Sequence, residues 1–389
     1  MRRDKTGTDH AILLFQRVVP SYRVPIFKAL REKFGVIVCH SIERPNASWK
    51  SFHDKMDYLN ILLPRLYFGR SDTNMVQNIF PVLVRFKPAI IISEFALGYL
   101  SFWFLYLLKP FFGYKLAVWS HGVGNKEMLR PFSSLRSRIE LAVLRNVDAV
   151  LLYSHQRRQM ITARLGDAPG FFVAPNTLDT ERLERIYKKM ASIGKEEIKR
   201  KLGYTNRFNL IYVGRLLRNK RIGLLLETFE LLSPRFDVGL HIIGDGPEKT
   251  LVEEYKKKLP SIHAYGSIFE EEGLARHIFG ADLIVNPGYV GLSIVHAFAY
   301  GTPMITCKTT EQGPFHSPEI EYLRHGQNGL FCDSSASSLA DEITGLLSNP
   351  GRIEKMSSAA AETVRRDCSV GNMLSGFEQL ITYLGIKTV

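Results

Sequence analysis

A chain of 389 residues with 45% hydrophobic and 11% aromatic content has ample material for buried cores, and its length favours two domains over one. Its four cysteines (Cys39, Cys307, Cys332, Cys368) lie far apart with no CxxC pair, which argues against zinc and suits a reducing compartment. The formal net charge of +13 comes without any RNP, zinc-finger or basic-zipper pattern, so nucleic acid rests on charge alone; acidic small substrates, an anionic membrane surface and a merely solvated basic surface stay open.

In chain order, the polar start "MRRDKTGTDH" runs into a strand-like "AILLF" with no apolar leader, so a cytosolic protein is expected. Strand patterns follow at "GVIVCH", "AIIIS", "KLAVWS", "DAVLLY" and "FFVAP", with helical patterns such as "VPIFKALREKF" and "SSLRSRIELAVLR" between them. The segment "ALGYLSFWFLYLLKPFFGYKLAVW" is apolar for thirteen residues from Ala96 before Lys109 and Pro110 break it. A spanning helix needs roughly 20 residues, so this reads either as a buried helix or as an aromatic face resting on a membrane. The charged, strand-poor stretch "ERLERIYKKMASIGKEEIKRKLGYTNRF" marks the domain boundary. Strands then resume at "FNLIYVG", "VGLHIIG", "IHAYG", "ADLIVN", "TPMIT" and "GLFC".

Continuous apolar strands separated by helices predict an α/β fold with two Rossmann-like parallel sheets and a cleft between the two domains. The bounds expected are 1–185 for the first domain, 186–206 for a linker and 207–367 for the second domain. A helix over 368–389 has scope to pack back on the first. Ligands of such sheets sit beyond the C-terminal strand ends, so functional residues are sought there.

Three strand ends stand out. "YVGRLLRNKR" supplies Gly214, Arg215 and Lys220, two cations able to converge on one anion or to form a solvated basic loop. "HIIGDGPEK" is a glycine-rich strand-to-helix turn. "ADLIVNPGYVGLSIVHAFAYG" places Gly288 and Gly291 before a helical pattern, so the N–H groups of Gly291, Leu292 and Ser293 can face an anion. His296 lies about one turn further on.

The order "VGRLLRNK", "GDGP", "YGSIFEEE", "ADLIVNPGYVGLSIVHAFAYGTPM", "SPEIEYLRHGQNGLF" over roughly residues 207–349 resembles the nucleotide-sugar domain of GT-B glycosyltransferases, glycosyltransferase family 4 in particular. "VWSHGVGN" and "APNTLD" in the first half resemble that family's strand-end histidine and turn. The resemblance implies a GT-B fold and transfer, with retention, from a UDP- or GDP-linked sugar. It implies no cofactor and no metal. The scattered positive charge, Arg17, Arg23 and the aromatic segment before Lys109 fit a glycan or polyprenyl-diphosphate-linked acceptor at the inner face of the cytoplasmic membrane, which by resemblance would be bacterial surface-polysaccharide assembly.

The donor would then meet Gly214, Arg215, Lys220, Gly288, Gly291, Leu292, Ser293, His296, His316 and Glu319. Arg215 and Lys220 would neutralise the leaving diphosphate, and His121 would lie beside the sugar or serve the structure alone. Gln16, Arg17, Tyr22 and Arg23 stand where the family's N-terminal loop carries paired glycines, and they are expected at the acceptor. Glu94 either joins them or caps the next helix. The family's two glutamates, one near the sugar and one on the ribose, are replaced by Gly288 and His296. His316 is the expected substitute for the first. Those losses keep a non-catalytic nucleotide-sugar-binding scaffold open beside the enzyme, and a 2-epimerase lacks identifiable acid/base carboxylates.

Overall fold

The computed structural model describes residues 11–45, 47, 51, 60–122, 124–129, 132–168 and 170–386, so the polar start lies outside them. The chain divides into two compact units, 1–175 with 370–389, and 176–369.

In the first unit the elements run β1 (Ile12–Phe15), α1 (Val24–Phe34), β2 (Ile37–His40), β3 (Asn60–Leu62), β4 (Arg65–Tyr67), β5 (Met75–Gln77) and α2 (Phe80–Phe86). They continue with β6 (Ile90–Glu94), α3 (Leu100–Phe112), β7 (Lys115–Ser120), α4 (Leu135–Asn146), β8 (Ala149–Leu152), α5 (His155–Leu165) and β9 (Gly170–Val173). Among the described residues a seven-stranded parallel sheet forms in the order β3-β2-β1-β6-β7-β8-β9. Its central strands are buried on both faces, which explains their unbroken apolar runs. The short β3, β4 and β5 had no such run to announce them; β3 is a half-exposed edge strand.

The second unit runs α6 (Thr180–Ile193), α7 (Lys195–Leu202), β10 (Phe208–Val213), α8 (Ile222–Leu232), β11 (Val238–Ile243), α9 (Lys249–Lys258), β12 (Ile262–Gly266) and α10 (Glu271–Gly280). It continues with β13 (Leu283–Val285), α11 (Ser293–Ala299), β14 (Met304–Cys307), β15 (Gly329–Cys332), α12 (Ala336–Leu347) and α13 (Pro350–Asp367). Its six-stranded parallel sheet has the order β12-β11-β10-β13-β14-β15.

The expected linker over 186–206 is corrected: α6 and α7 occupy it and belong to the second unit, which begins at Asn176. Their charge hid an amphipathic pattern. Leu183, Ile186 and Met190 sit on one face of α6 and are buried, and both helices pack on α10. The second unit runs to Ser369, two residues past the expected bound, and α14 (Val370–Tyr383) packs on β8, β9 and α1 of the first unit. All four cysteines are unbridged and buried. Cys307 and Cys332 are partners on adjacent strands, and burial pushes the Cys332 thiol up to about 12.

Charge divides as sharply as structure does. The first unit carries 26 Lys and Arg against 13 Asp and Glu, and the second 25 against 25. The whole net +13 therefore belongs to the first unit.

Candidate functional site

Strand order reverses between β10 and β13 in the second sheet, and the loops after those two strands open the crevice where such sheets hold ligands. The two loops grip each other. Tyr289 donates its backbone N–H to Asn219 O (2.9 Å), and Lys220 Nζ donates to Tyr289 O (2.6 Å) while lying over the Tyr289 ring at 4.8 Å. Gly288 is required at this crossing, because a Cβ would sit 2.3 Å from the backbone of Lys220 and 2.4 Å from that of Asn219. Gly244 is needed likewise, since a Cβ there would meet Gly214 O at 1.8 Å.

Lys220 makes no ion pair among the described residues, and burial pushes its ammonium down to about 8. Lys220 is thus a half-buried cation at a strand-order reversal, where such sheets hold ligands. Arg215 is exposed at the same strand end. Among the described residues no hydrogen bond uses the N–H groups of Gly291, Leu292 or Ser293, and the buried Ser293 Oγ has no partner.

Two donor expectations are corrected. His316 does not offer its ring to a ligand: Val290 N–H donates to its Nδ1 (3.2 Å), and its Nε2 donates to Cys307 O (2.8 Å). Both nitrogens are used, and burial pushes its pKa down to about 4, so it is a neutral strut between the loop after β13 and the end of β14. Glu319 is only 2% exposed and accepts from Asn176 Nδ2, which removes it from any open face. His316→Ala should therefore cost about 2–4 kcal/mol by leaving a buried N–H and a buried carbonyl unpaired. His316→Gln should recover part of it. Urea unfolding of both variants checks this, and undiminished stability in His316→Ala would contradict the strut.

His296 is not isolated. Its Nε2 lies 3.3 Å from Glu271 Oε1, which also accepts from Tyr300 OH at 2.7 Å. Burial would raise the Glu271 carboxyl, but His296, Tyr300 and the charge of Arg182 outweigh it and hold it below the usual range. Sequence reasoning missed Glu271. The available signal was the acidic triplet Glu270–Glu272 just after β12.

In the first unit the order reverses between β1 and β6, and the expected acceptor residues gather there. Arg17 donates to Glu94 from its backbone N–H (3.1 Å), Nε (3.0 Å) and Nη2. Burial would raise Glu94, yet the Arg17 charge holds it below the usual carboxylate range. Each thus neutralises the other, and Glu94 is no cap of α3.

Arg23 and Gln16 are corrected as direct acceptor ligands, because both are buried. Arg23 donates to Gln16 Oε1 (2.8 Å) and Tyr153 OH (2.8 Å), and its guanidinium lies 4.4 Å from the Trp119 ring centre. Tyr22 is half-buried and keeps part of its surface open. The His121 ring lies 4.8 Å from that of Tyr153 and is still reached by solvent. Desolvation, then the charges of Arg157 and Arg23, push its pKa down.

Residues 207–349 match the family Glycosyl transferases group 1. The chain is 24% identical over 202 residues to an N-acetyl-alpha-D-glucosaminyl L-malate synthase of Bacillus anthracis, covering 51% of this chain and 50% of that one. It is 34% identical over 125 residues to a GDP-mannose-dependent alpha-mannosyltransferase of Corynebacterium glutamicum, covering 31% and 27%. The chain thus spans half or less of the length of these curated relatives. The sucrose-phosphate synthase structure from Thermosynechococcus elongatus has a TM-score of 0.70 at 19% identity, covering 96% of this chain and 99% of its own. Anabaena HepE in complex with UDP has a TM-score of 0.68 at 16% identity, with 96% and 99% covered. The fold is GT-B: two Rossmann-like units, each built on a parallel sheet.

Proposed function

We propose, for a chain whose residues 207–349 match the glycosyl transferases group 1 model, that it transfers a sugar from a nucleoside-diphosphate sugar to a hydroxyl of a glycan or lipid-linked sugar. The observation that carries this is Lys220, a cation without a counter-charge where the loops after β10 and β13 meet. The diphosphate would lie against Lys220, Arg215 and the unused N–H groups of Gly291 to Ser293. These donors interact more strongly as the leaving group gains charge, which is how fixed dipoles lower a barrier. In this reading the residues need no metal to neutralise the leaving group.

The ribose side falls to His296. Its Nε2 faces the Glu271 carboxylate and its Nδ1 is left for a hydroxyl, an arrangement that restores by relay what a direct glutamate supplies elsewhere. The closed Arg17–Glu94 pair recognises hydroxyls, not phosphate, so the acceptor end at this loop is a sugar. Retention of configuration and a role in surface-polysaccharide assembly at the inner membrane face complete the reading.

The donor reading draws on a relative named for GDP-mannose and a neighbour solved with UDP. A thermal-shift screen with UDP, GDP, ADP and CMP should show one selective stabilisation, about 2.7 kcal/mol at a hundredfold excess over Kd. Transfer from the matching radiolabelled sugar should follow. No shift with any nucleotide would overturn the reading. Selective binding without turnover across the panel would favour the second reading, a scaffold, for which the glycine at 288 and histidine at 296 are the motivating observation.

A further inference from the structure

The apolar segment that is broken at Lys109 becomes α3, and no helix among the described residues is long and apolar enough to cross a membrane. The inner face of α3 is core: Phe102 and Leu105 are buried. Its outer face is not. Leu100 is 39% exposed, Phe104 45%, Leu107 63% and Phe111 81%. Positions 100, 104, 107 and 111 fall at i, i+4, i+7 and i+11, so they form one continuous stripe about 16 Å long. Phe80 and Val84 of α2 are also exposed, and α2 and α3 share one hydrophobic core beneath them.

The charge around this stripe is mostly positive. Between Asp72 and Glu127 the only carboxylate is Glu94, which is consumed by Arg17. The same span holds Arg85, Lys87, Lys109, Lys115 and Lys126. Arg85 and Lys87 lie exposed at the end of α2, and Lys115 adjoins them, because its N–H donates to Ala89 O (2.8 Å). Asp148 takes up Lys109 at 2.7 Å and only grazes Lys115 at 3.9 Å.

The geometry points to the α2–α3 face of the first unit as a docking surface for an anionic lipid bilayer. Leu100, Phe104, Leu107 and Phe111 would lie at the acyl boundary, with Arg85, Lys87 and Lys115 among the headgroups. A second copy fits the face poorly, since it would bring two units of net charge +13 together. The stripe begins six residues after Glu94, so a docked protein keeps its acceptor loop beside the lipid surface. The inference deepens the lipid-linked acceptor of the proposed function and rests on that reading only for what the docked protein does there.

The test is flotation of the full chain with phosphatidylcholine vesicles containing about 30% phosphatidylglycerol, without nucleotide sugar. The wild type should float at low salt, less at about 0.5 M NaCl, and little with phosphatidylcholine alone. The Leu107→Ser/Phe111→Ser pair should lower partitioning about tenfold or more with an unchanged melting midpoint, since both side chains are exposed. Arg85→Gln/Lys87→Gln should weaken only the anionic dependence. Equal flotation of the wild type and the serine pair would overturn the surface, as would no flotation at low salt. A concentration-dependent dimer abolished by the serine pair would make a second copy the occupant and overturn it too. Nucleotide binding with no flotation would sink this inference and spare the transferase; flotation with no nucleotide binding would do the reverse.

Discussion

Lys220→Ala is expected to lower kcat/KM for the nucleoside-diphosphate sugar by about 10²–10³-fold, roughly 3–4 kcal/mol of transition-state stabilisation. Arg215→Ala should cost less, about tenfold, because that side chain is exposed and water screens its charge. The larger effect has a pH signature. In the free protein the Lys220 ammonium loses its proton near pH 8, since burial disfavours the charged form. A bound diphosphate favours the charged form and raises that pKa. Nucleotide affinity should therefore be complete below about pH 8 and fall as pH rises above it, by up to about tenfold per unit. Calorimetric titration between about pH 6.5 and 9.5 reads this directly. Lys220→Arg should lack the inflection. An affinity that is flat with pH, together with an unaffected Lys220→Ala, would remove the anion site.

Restoring the carboxylate that the family resemblance expects should do harm. Gly288→Glu, and equally Gly288→Ala, puts a Cβ into the backbone of Asn219 and Lys220, rigid atoms that cannot rotate away. Overpacking of this kind costs about 3 kcal/mol, a fall in midpoint of roughly 6–12 °C for a unit of this size. The shift would also part the loops after β10 and β13, with loss of the Lys220–Tyr289 contact and of nucleotide binding. Calorimetry and the nucleotide titration check both halves. A Gly288→Glu protein that melts like the wild type and gains activity would show that the crossing is looser than its distances imply. The missing carboxylate is thus a property of how two loops cross, and no single substitution repairs it.

Much of this is legible in the order of the amino acids alone. Each apolar run read as a strand is one, at or near its expected place, because a strand covered on both faces needs no polar residues. The strand ends also hold the residues that gather at the two order reversals. What stays hidden has a common cause, a partner that leaves no mark in sequence. His316 bonds a backbone N–H and a backbone carbonyl, and neither has a residue identity to recognise. Glu271 and His296 are 25 positions apart and meet only because α10 and α11 start near the same end of the sheet. Gln16 and Arg23 stand out as unusual polar residues, but whether a polar group faces solvent or core is decided by Trp119 and Tyr153, more than 90 positions away. The boundary helices are misread for a different reason. Their charge count outweighs the spacing of Leu183, Ile186 and Met190, and the spacing is the better guide.

The placement of the thiols has a practical outcome. Cys39 is the one sulfhydryl of the first unit, while Cys307, Cys332 and Cys368 all lie in the second. Since none is reachable in the native state, alkylation followed by peptide mapping timestamps the opening of either half separately, with no introduced label. The chain therefore carries its own pair of clocks, one for the cationic half and one for the neutral half.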